Sequence, residues 1–291
     1  MDSLGVKVIL DLFPQQCEEA SHIGNRIKVE LPINAIVFCG VGASGLPGEI
    51  IKTVTQVTVP IITVKDYTLP KFADHNTLVF AISYNGNNEE TISCYREALK
   101  RKCKLISITS GGKLKHLCIQ NKTTVITVPK ELQTRHSIGY QTLPILNVLY
   151  TSKMIQDPKK DIESAIAALR KDHQKQAKEL AAKLYGKLPV VYASSSVSAI
   201  AMVWKVLFNE NPKIPAFCNV YPEWNHYELV GYTHQSSSFY AILIEDQSDS
   251  PKMQNRFAAT KTLLQKQGIP VLQLKLSGNT LLTRLFSAIY L

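Results

Sequence analysis

A glycine-rich run at residues 40–45, Gly-Val-Gly-Ala-Ser-Gly, has the residue types that can hold a phosphate group. It lies between an apolar run and a helical pattern over residues 46–56. Glycines permit a tight turn and a close approach of the backbone to a ligand, and the N-terminus of the following helix presents N–H groups to an anion. The spacing also fits G-x-G-x-x-G, with Asp66 about 20 residues further along, as in dinucleotide-binding proteins. This glycine loop therefore predicts an anion site and leaves a dinucleotide open as its ligand.

A second polar run at residues 83–91, Ser-Tyr-Asn-Gly-Asn-Asn-Glu-Glu-Thr, follows another apolar run, and we name it the asparagine loop. Asn88 is a candidate N-cap for the helix after it. Two loops at the carboxyl ends of parallel strands can converge on one phosphate. An ordinary capped turn is the alternative for either loop alone. The candidate phosphate-binding residues of the two loops are Gly42, Ser44, Ser83, Asn85 and Asn88.

Short apolar runs alternate with helical patterns through the first half of the chain. Because strands separated by helices form parallel βαβ units, this order predicts a doubly wound parallel sheet. The predicted strands cover residues 35–39, 61–64, 77–83, 104–109 and 123–128, and the predicted helices between them include residues 89–102 and 113–120.

The second half repeats the same order of elements. A predicted helix over residues 137–154 is followed by the polar connection Gln156-Asp157-Pro158 and by a long charged helix over residues 159–185. Pro158 suits the first turn of a helix, so we place a domain boundary at this connection. The predicted fold class is α/β, with two tandem doubly wound parallel-sheet domains at residues 1–155 and 156–291. Beyond the long helix, the predicted strands are residues 190–193, 238–244 and 271–274, and the predicted helices are residues 198–208 and 253–266.

The composition is that of an ordinary globular protein with an excess of basic residues. Of 291 residues, 45% are hydrophobic and 19% are charged, which allows a sizeable core, and the net charge is +10. The basic residues are spread along helical patterns beside Glu, Asp and Gln, whereas nucleic-acid binders concentrate them in one patch. We therefore expect no nucleic-acid partner, and a small anionic substrate fits the charge.

Cysteine and histidine spacing argues against a metal site. The six cysteines form no C-x-x-C pair, and the seven histidines show no H-x-x-x-H pairing. The N-terminus lacks a signal-peptide pattern, and no run approaches the roughly 18 apolar residues of a membrane span. We expect a reduced, cytoplasmic protein with no membrane partner, no metal and no cofactor.

Two residues of the second half could do acid–base chemistry. Glu210 is predicted at the C-terminal end of a helix, where the dipole disfavours a carboxylate by about 0.3–1 kcal/mol. It is either a solvated surface residue or a base whose pKa is raised toward the working range. His226 lies in a polar and aromatic cluster, Glu-Trp-Asn-His-Tyr-Glu, and a lone histidine is usually structural.

The two loops resemble those of the sugar isomerase (SIS) domain family, and the resemblance continues through most of the chain. Members of the family carry Gly-x-Gly-Gly-Ser-Gly and then Ser-Tyr-Ser-Gly-Asn-Thr-x-Glu-Thr. The branch with the best match is the bifunctional phosphoglucose/phosphomannose isomerases, which have two such domains in each chain. Three further stretches match that branch: Ser110-Gly111-Gly112; Val128-Pro129-Lys130 followed by Arg135; and Phe208-Asn209-Glu210-Asn211-Pro212-Lys213 followed by Pro222-Glu223 and His226.

The asparagine loop departs from the family pattern at two positions. Asn85 and Asn88 replace the Ser and Thr with which the family holds the phosphate. In the glycine loop, Ala43 replaces a family Gly. An amide NH2 can donate a hydrogen bond, but it is bulkier than a hydroxyl and cannot occupy the same position. The replacements therefore predict a changed phosphate affinity or substrate size.

The resemblance implies catalytic roles for three residues. Glu210 would move a proton through an enediolate, His226 would open the sugar ring from its own chain or from the other subunit of a homodimer, and Arg135 would stabilise the enediolate. Without the resemblance, Arg135 would be interpreted as a salt bridge in a loop. The implied activity interconverts fructose 6-phosphate with glucose 6-phosphate and mannose 6-phosphate.

Two other functions stay open on the sequence alone. A regulator that binds sugar phosphates without turnover would keep both loops. An NAD-binding protein would use the glycine loop but give the asparagine loop no purpose. Similar proteins also continue beyond the position of Leu291 into a helix with a catalytic Lys. Either the sequence is truncated or the site is reduced. Because the missing helix would pack on the second domain, we expect lower stability of that domain.

Overall fold

The computed structural model describes residues 5–171, 174–234 and 238–291. The chain divides into two compact units, Met1–Ala167 and Ala168–Leu291. This division lies inside a helix that begins at Lys159, beyond the connection where the sequence predicts a boundary. The domain bounds 1–155 and 156–291 stay a prediction.

The first unit contains one parallel sheet with helices before and between its strands. Its five strands lie in the order β2-β1-β3-β4-β5, and every neighbouring pair is parallel. All residues of β1 and β3 are buried, as expected for central strands with helices on both faces. The elements in chain order are α1 (Val6–Asp11), α2 (Phe13–Ala20), β1 (Ala35–Cys39), α3 (Leu46–Val54), β2 (Ile61–Val64), β3 (Thr77–Ile82), α4 (Glu89–Lys100), β4 (Lys104–Thr109), α5 (Gly112–Asn121), β5 (Thr124–Thr127), α6 (Ile138–Thr151) and α7 (Lys159–Leu169).

The second unit repeats the topology with one strand fewer. Its four strands lie in the order β7-β6-β8-β9, again all parallel. An aromatic cluster fills its core, in which the rings of Tyr192 and Trp224 stack with their centroids 3.7 Å apart. The elements are α8 (Gln174–Leu184), β6 (Leu188–Ala193), α9 (Ser198–Glu210), β7 (Phe217–Val220), α10 (Glu228–Gly231), β8 (Phe239–Asp246), α11 (Pro251–Lys266), β9 (Val271–Leu276) and α12 (Leu281–Tyr290).

The predicted fold class, two parallel α/β sheets in tandem, is confirmed. The single long helix predicted over residues 159–185 is wrong, because α7 ends at Leu169 and α8 begins at Gln174. Arg170 and Lys171 continue the charged helical pattern without Gly or Pro, so the sequence has no signal for this break. None of the helices in the described ranges has the length and apolar character needed to cross a membrane.

Candidate functional site

The glycine loop follows β1 and leads directly into α3. Gly42 has φ +57°, in the left-handed region, and begins a 3-10 turn, Gly42–Gly45. A Cβ on Gly40 would lie 2.4 Å from the Ser44 carbonyl oxygen, so this close turn requires glycine. The 3-10 turn and the start of α3 follow the carboxyl end of β1, which is where the free N–H groups of a helix N-terminus can meet an anion.

The asparagine loop begins where β3 ends, beside β1 in the sheet. The Ser83 hydroxyl donates to Asn88 Oδ1 at 2.6 Å, and Asn85 Oδ1 accepts from the Asn87 N–H at 3.0 Å. Asn88 is the N-cap of α4, as predicted, but its side chain binds Ser83 instead of capping the helix. Both amide oxygens are therefore engaged inside the loop, and the Nδ2 group of each amide is the donor end that can meet an anion.

A third strand end supports the asparagine loop from the other side. The Tyr84 carbonyl accepts from the Ser110 N–H at 2.8 Å and from its hydroxyl at 2.6 Å. A Cβ on Gly86 would lie 1.8 Å from the Gly111 carbonyl oxygen, so the two backbones are in direct contact. The exposed Lys130 side chain lies beside Gly111, with Nζ 4.0 Å from the position of a Cβ there. This lysine adds positive charge to the edge of the sheet that carries the loops.

Arg135 lies in a 3-10 turn, Thr134–His136, directly before α6, and is 9% exposed. The turn is joined to both loops by one chain of hydrogen bonds. The Tyr84 N–H donates to Ser44 Oγ at 3.2 Å, Ser44 Oγ donates to Gln141 Oε1 at 2.9 Å, and Gln141 Nε2 donates to the Thr134 carbonyl at 3.2 Å. The structure therefore brings together the glycine loop, the asparagine loop and the turn that carries Arg135.

The Ser44 hydroxyl is used inside the protein. Ser44 is 1% exposed, and its hydroxyl both donates and accepts within the chain just described. Sequence reasoning did not single out Gln141, its partner. One signal was present, since Gln141 is a polar residue at a fully buried position in the otherwise apolar helix α6.

Glu210 is the last residue of α9, as predicted, and is half-buried. His226 is exposed and ends a 3-10 turn, Glu223–His226, just after β7. Helix α10, which follows His226, begins at Glu228. The Glu228 carboxylate accepts from the Tyr192 hydroxyl at 2.8 Å and from Asn219 Nδ2 at 2.7 Å, which fixes the start of this helix. Burial raises the pKa of Tyr192, so this hydroxyl stays protonated and remains a donor.

Glu210 and His226 of one chain lie at opposite edges of the second sheet. Helix α9 begins after the carboxyl end of β6 and ends with Glu210, before the amino end of β7. His226 follows the carboxyl end of β7, which pairs in parallel with β6. The 13 residues of α9 span about 20 Å. The structure therefore does not bring these two predicted residues of one chain together.

The second sheet carries acidic residues where the first carries the asparagine loop. Its third strand in chain order, β8, ends at Asp246, which accepts from Arg284 Nε at 2.6 Å. Although burial opposes ionisation, hydrogen bonds from Ser248 and Arg284 hold the pKa of Asp246 below its usual value. Asp249 lies in the same loop and accepts from the Ser196 hydroxyl at 2.8 Å. Two carboxylates at this strand end disfavour an anion, whereas the glycine loop and the asparagine loop, the predicted phosphate site, both lie in the first unit.

Metal ligands are not grouped in the described part of the chain: no cluster of three or more His, Cys, Asp or Glu residues there could hold an ion. Asp66, the candidate ribose ligand of a dinucleotide, is exposed and accepts from the Tyr67 N–H at 2.6 Å.

Comparison with known proteins identifies the family. The chain is 36% identical to the bifunctional phosphoglucose/phosphomannose isomerase of Aquifex aeolicus over 266 residues, which cover 89% of this chain and 82% of that one. The chain belongs to the bifunctional phosphoglucose/phosphomannose isomerase family. A second member of this family, from Caldicellulosiruptor bescii, is 35% identical over 96% of this chain and 88% of its own length. The predicted resemblance is therefore confirmed.

A family model agrees with this assignment over the second half of the chain, and a solved structure shares the fold. The bacterial phospho-glucose isomerase C-terminal SIS domain matches residues 173–291. The C-terminal domain of glucosamine-fructose-6-phosphate aminotransferase from Francisella tularensis superposes with a TM-score of 0.71 at 11% identity, over 97% of this chain and 92% of that one. At this identity the superposition shows the shared fold alone.

Proposed function

We propose that this chain interconverts fructose 6-phosphate with glucose 6-phosphate and with mannose 6-phosphate. The observation that carries the proposal is the adjacency of the glycine loop and the asparagine loop at the point where the strand order of the first sheet reverses, between β1 and β3. Ligands of open α/β sheets bind at this reversal. The family relatives are named as sugar-phosphate isomerases, which favours an enzyme over a regulator without turnover.

The phosphate is held by donors from both loops. The N–H groups of the turn Gly42–Gly45 and of the start of α3 meet one side of it, and the Nδ2 groups of Asn85 and Asn88 meet another. Ser83 orients Asn88, and Ser44 acts through the placement of its loop.

The chemistry is a proton transfer between two carbons of the open-chain sugar. Glu210 removes the proton from C2 of the aldose, the electrons of that C–H bond form the C1–C2 double bond, and the carbonyl oxygen on C1 gains the negative charge. Arg135 stabilises this enediolate with its permanently charged guanidinium. Glu210 then returns the proton to C1, and the hydroxyl proton on O2 moves to O1 to leave the ketose.

His226 opens the ring before the proton transfer. Since His226 and Glu210 of one chain lie at opposite edges of the second sheet, we infer that His226 acts from the second subunit of a homodimer. No metal or cofactor takes part in this proposal, and the enzyme works in the cytoplasm.

The decisive measurement is proton exchange at C2 of glucose 6-phosphate in deuterated water, followed by NMR. We expect exchange with the wild-type chain and its loss in Glu210→Gln. Glu179→Gln, an exposed carboxylate on α8, is the matched control and should exchange like the wild type. A melting shift with fructose 6-phosphate but no exchange would favour the regulator, and exchange that survives Glu210→Gln would sink the assigned base.

A further inference from the structure

The backbone on each side of Arg135 is held by a buried glutamine. The Thr134 carbonyl accepts from Gln141 Nε2 at 3.2 Å, and the His136 carbonyl accepts from Gln16 Nε2 at 2.7 Å. Gln16 lies on α2 and is 5% exposed, and Gln141 lies on α6 and is fully buried. Two helices therefore fix the peptide groups that flank Arg135.

Gln141 has a second set of contacts that Gln16 lacks. Its Oε1 accepts the Ser44 hydroxyl at 2.9 Å, and the Ser44 hydroxyl in turn accepts the Tyr84 N–H at 3.2 Å. Its Nε2 also donates to Ser137 Oγ at 2.7 Å. One side chain thus bonds to the turn that carries Arg135 and, through Ser44, to both phosphate loops.

This arrangement is determined by the amide group itself. The Ser44 hydroxyl donates to an acceptor on Gln141, while the Thr134 carbonyl accepts from a donor on Gln141, and the glutamine amide supplies both at every pH without carrying a charge. Ser44 and Gln141 are buried and Thr134 is half-buried, so the Ser44 hydroxyl in particular cannot take water as a substitute partner at low cost. The glutamine side chain therefore spans the distance between the loops and the turn.

We propose that Gln141 is a positioning residue that holds Arg135 in register with the phosphate loops. The inference rests on the proposed function, in which the loops bind the phosphate and Arg135 stabilises the enediolate at the other end of the sugar. A misplacement of about 1 Å at such a site lowers the rate by about 100-fold.

Gln141→Met tests the proposal, because methionine fills a similar volume and makes no equivalent hydrogen bonds. Asn147→Leu is the matched control. Asn147 is a buried amide on the same helix, 8% exposed, whose Nδ2 donates to the carbonyls of Ser21 at 2.8 Å and Ile23 at 2.7 Å, in a segment that carries neither loop nor the Arg135 turn. Both variants lose buried hydrogen bonds, so both should melt at lower temperature.

We expect kcat of Gln141→Met to fall by about 100-fold with a smaller change in KM, while kcat of Asn147→Leu stays near that of the wild type. The double variant Gln141→Met with Arg135→Met should be no slower than Arg135→Met alone, because Gln141 acts through Arg135. The ratio of Gln141→Glu activity to wild-type activity at the same pH should rise as the pH falls, since a protonated carboxyl can again donate to the Thr134 carbonyl.

Equal kcat in Gln141→Met and Asn147→Leu would overturn the inference while leaving the proposed function intact. Additive losses in the double variant would overturn it as well. A wild-type chain that neither exchanges the C2 proton nor turns over would overturn the proposed function and the inference together.

Discussion

The Tyr84 hydroxyl donates to the Pro129 carbonyl at 2.6 Å and accepts from the Leu132 N–H at 3.0 Å. Tyr84 belongs to the asparagine loop, and residues 129–132 lead to the turn that carries Arg135. This side chain is therefore a second tie between the asparagine loop and the segment that leads to the predicted catalytic arginine. Burial raises the pKa of Tyr84, so the hydroxyl remains a donor across the working pH range.

Replacement of Tyr84 by Phe removes this tie and leaves two backbone groups without their partner. We expect the free energy of unfolding to fall by about 1–3 kcal/mol. The activity should fall too, because segment 129–132 is no longer held to the loop. Urea unfolding and steady-state kinetics measure the two effects, and wild-type kcat in Tyr84→Phe would show that the tie has no part in catalysis.

Asn85→Ser and Asn88→Thr restore the hydroxyl residues of the family pattern. A hydroxyl is smaller than an amide and can donate to the phosphate from closer to the backbone. We expect KM for fructose 6-phosphate to fall in the double variant, with kcat changed less. Asn121→Ser, an exposed position at the far end of α5, is the control and should leave KM unchanged. An unchanged or higher KM in the double variant would mean that the amides suit the phosphate of this chain.

Gly86→Ala should disrupt the asparagine loop by steric overlap with a neighbouring backbone as well as by backbone strain. Gly86 has φ +74°, and a Cβ would meet the Gly111 carbonyl at 1.8 Å. Gly186 has φ +70° with nothing within 4 Å of a Cβ, so Gly186→Ala isolates the strain, which is about 1–2 kcal/mol. We expect Gly86→Ala to lose more stability than Gly186→Ala and to lose the melting shift produced by inorganic phosphate. Similar behaviour of the two variants would contradict the close packing of the asparagine loop against the backbone at Gly111.

The Asp246–Arg284 ion pair should stabilise the second unit. Asp246 is fully buried and Arg284 is 8% exposed, so Arg284→Met leaves a buried carboxylate unpaired and should cost about 3–5 kcal/mol. Lys7→Met breaks an exposed pair with Asp11 and should cost about 0–1 kcal/mol.

The same pair predicts the direction of the pH dependence. Because the pKa of Asp246 is lowered from 3.8, its contribution is present above pH 3.8 and is lost as the pH falls through the lower value of the folded state. Unfolding followed between pH 2 and pH 6 should show a smaller acid-induced loss of stability in Arg284→Met than in the wild type. Parallel profiles of unfolding free energy against pH for the two proteins would show that the Asp246–Arg284 pair does not cause the acid-induced loss of stability.

Mixed dimers test the assignment of His226 to the second subunit. Glu210→Gln and His226→Gln should each be inactive alone. When the two variants are unfolded and refolded together, hybrid dimers contain one site with both native residues, and activity should return. Each variant refolded by itself is the control, and a mixture that stays inactive would place both residues in the site of one chain.

Most strands were predictable because each has a short apolar run that is flanked by turn residues. Strands β1, β2 and β4 match their predicted bounds, and β3 differs by one residue. Strand β7 was not predicted, since Phe217–Val220 is a short edge strand with no buried residue. The edge strand β2 was predictable because Ile-Ile-Thr-Val is nearly all apolar, whereas Asn219 interrupts the short apolar run of β7.

The loops were predictable for the same local reason: each is one contiguous run at a strand end. The contacts that join the glycine loop and the Arg135 turn to the helices were not predictable, because Ser44 and Gln141 are 97 positions apart and Gln16 and His136 are 120 apart. The placement of Glu210 and His226 at opposite edges also follows from the position of β7, which the pattern did not reveal. Side-chain partners that depend on tertiary packing are beyond a single-sequence pattern.

The acidic loop after β8 has a consequence for the number of phosphate ions that each chain can bind. Although the two units share one topology, Asp246 and Asp249 lie at the strand end of the second unit that corresponds to the asparagine loop of the first unit. A titration with inorganic phosphate should therefore saturate at one equivalent per chain, and a homodimer would hold two ligands. Under the proposed function, the second sheet positions Glu210 and His226, and we expect it to hold no second phosphate that would compete for substrate.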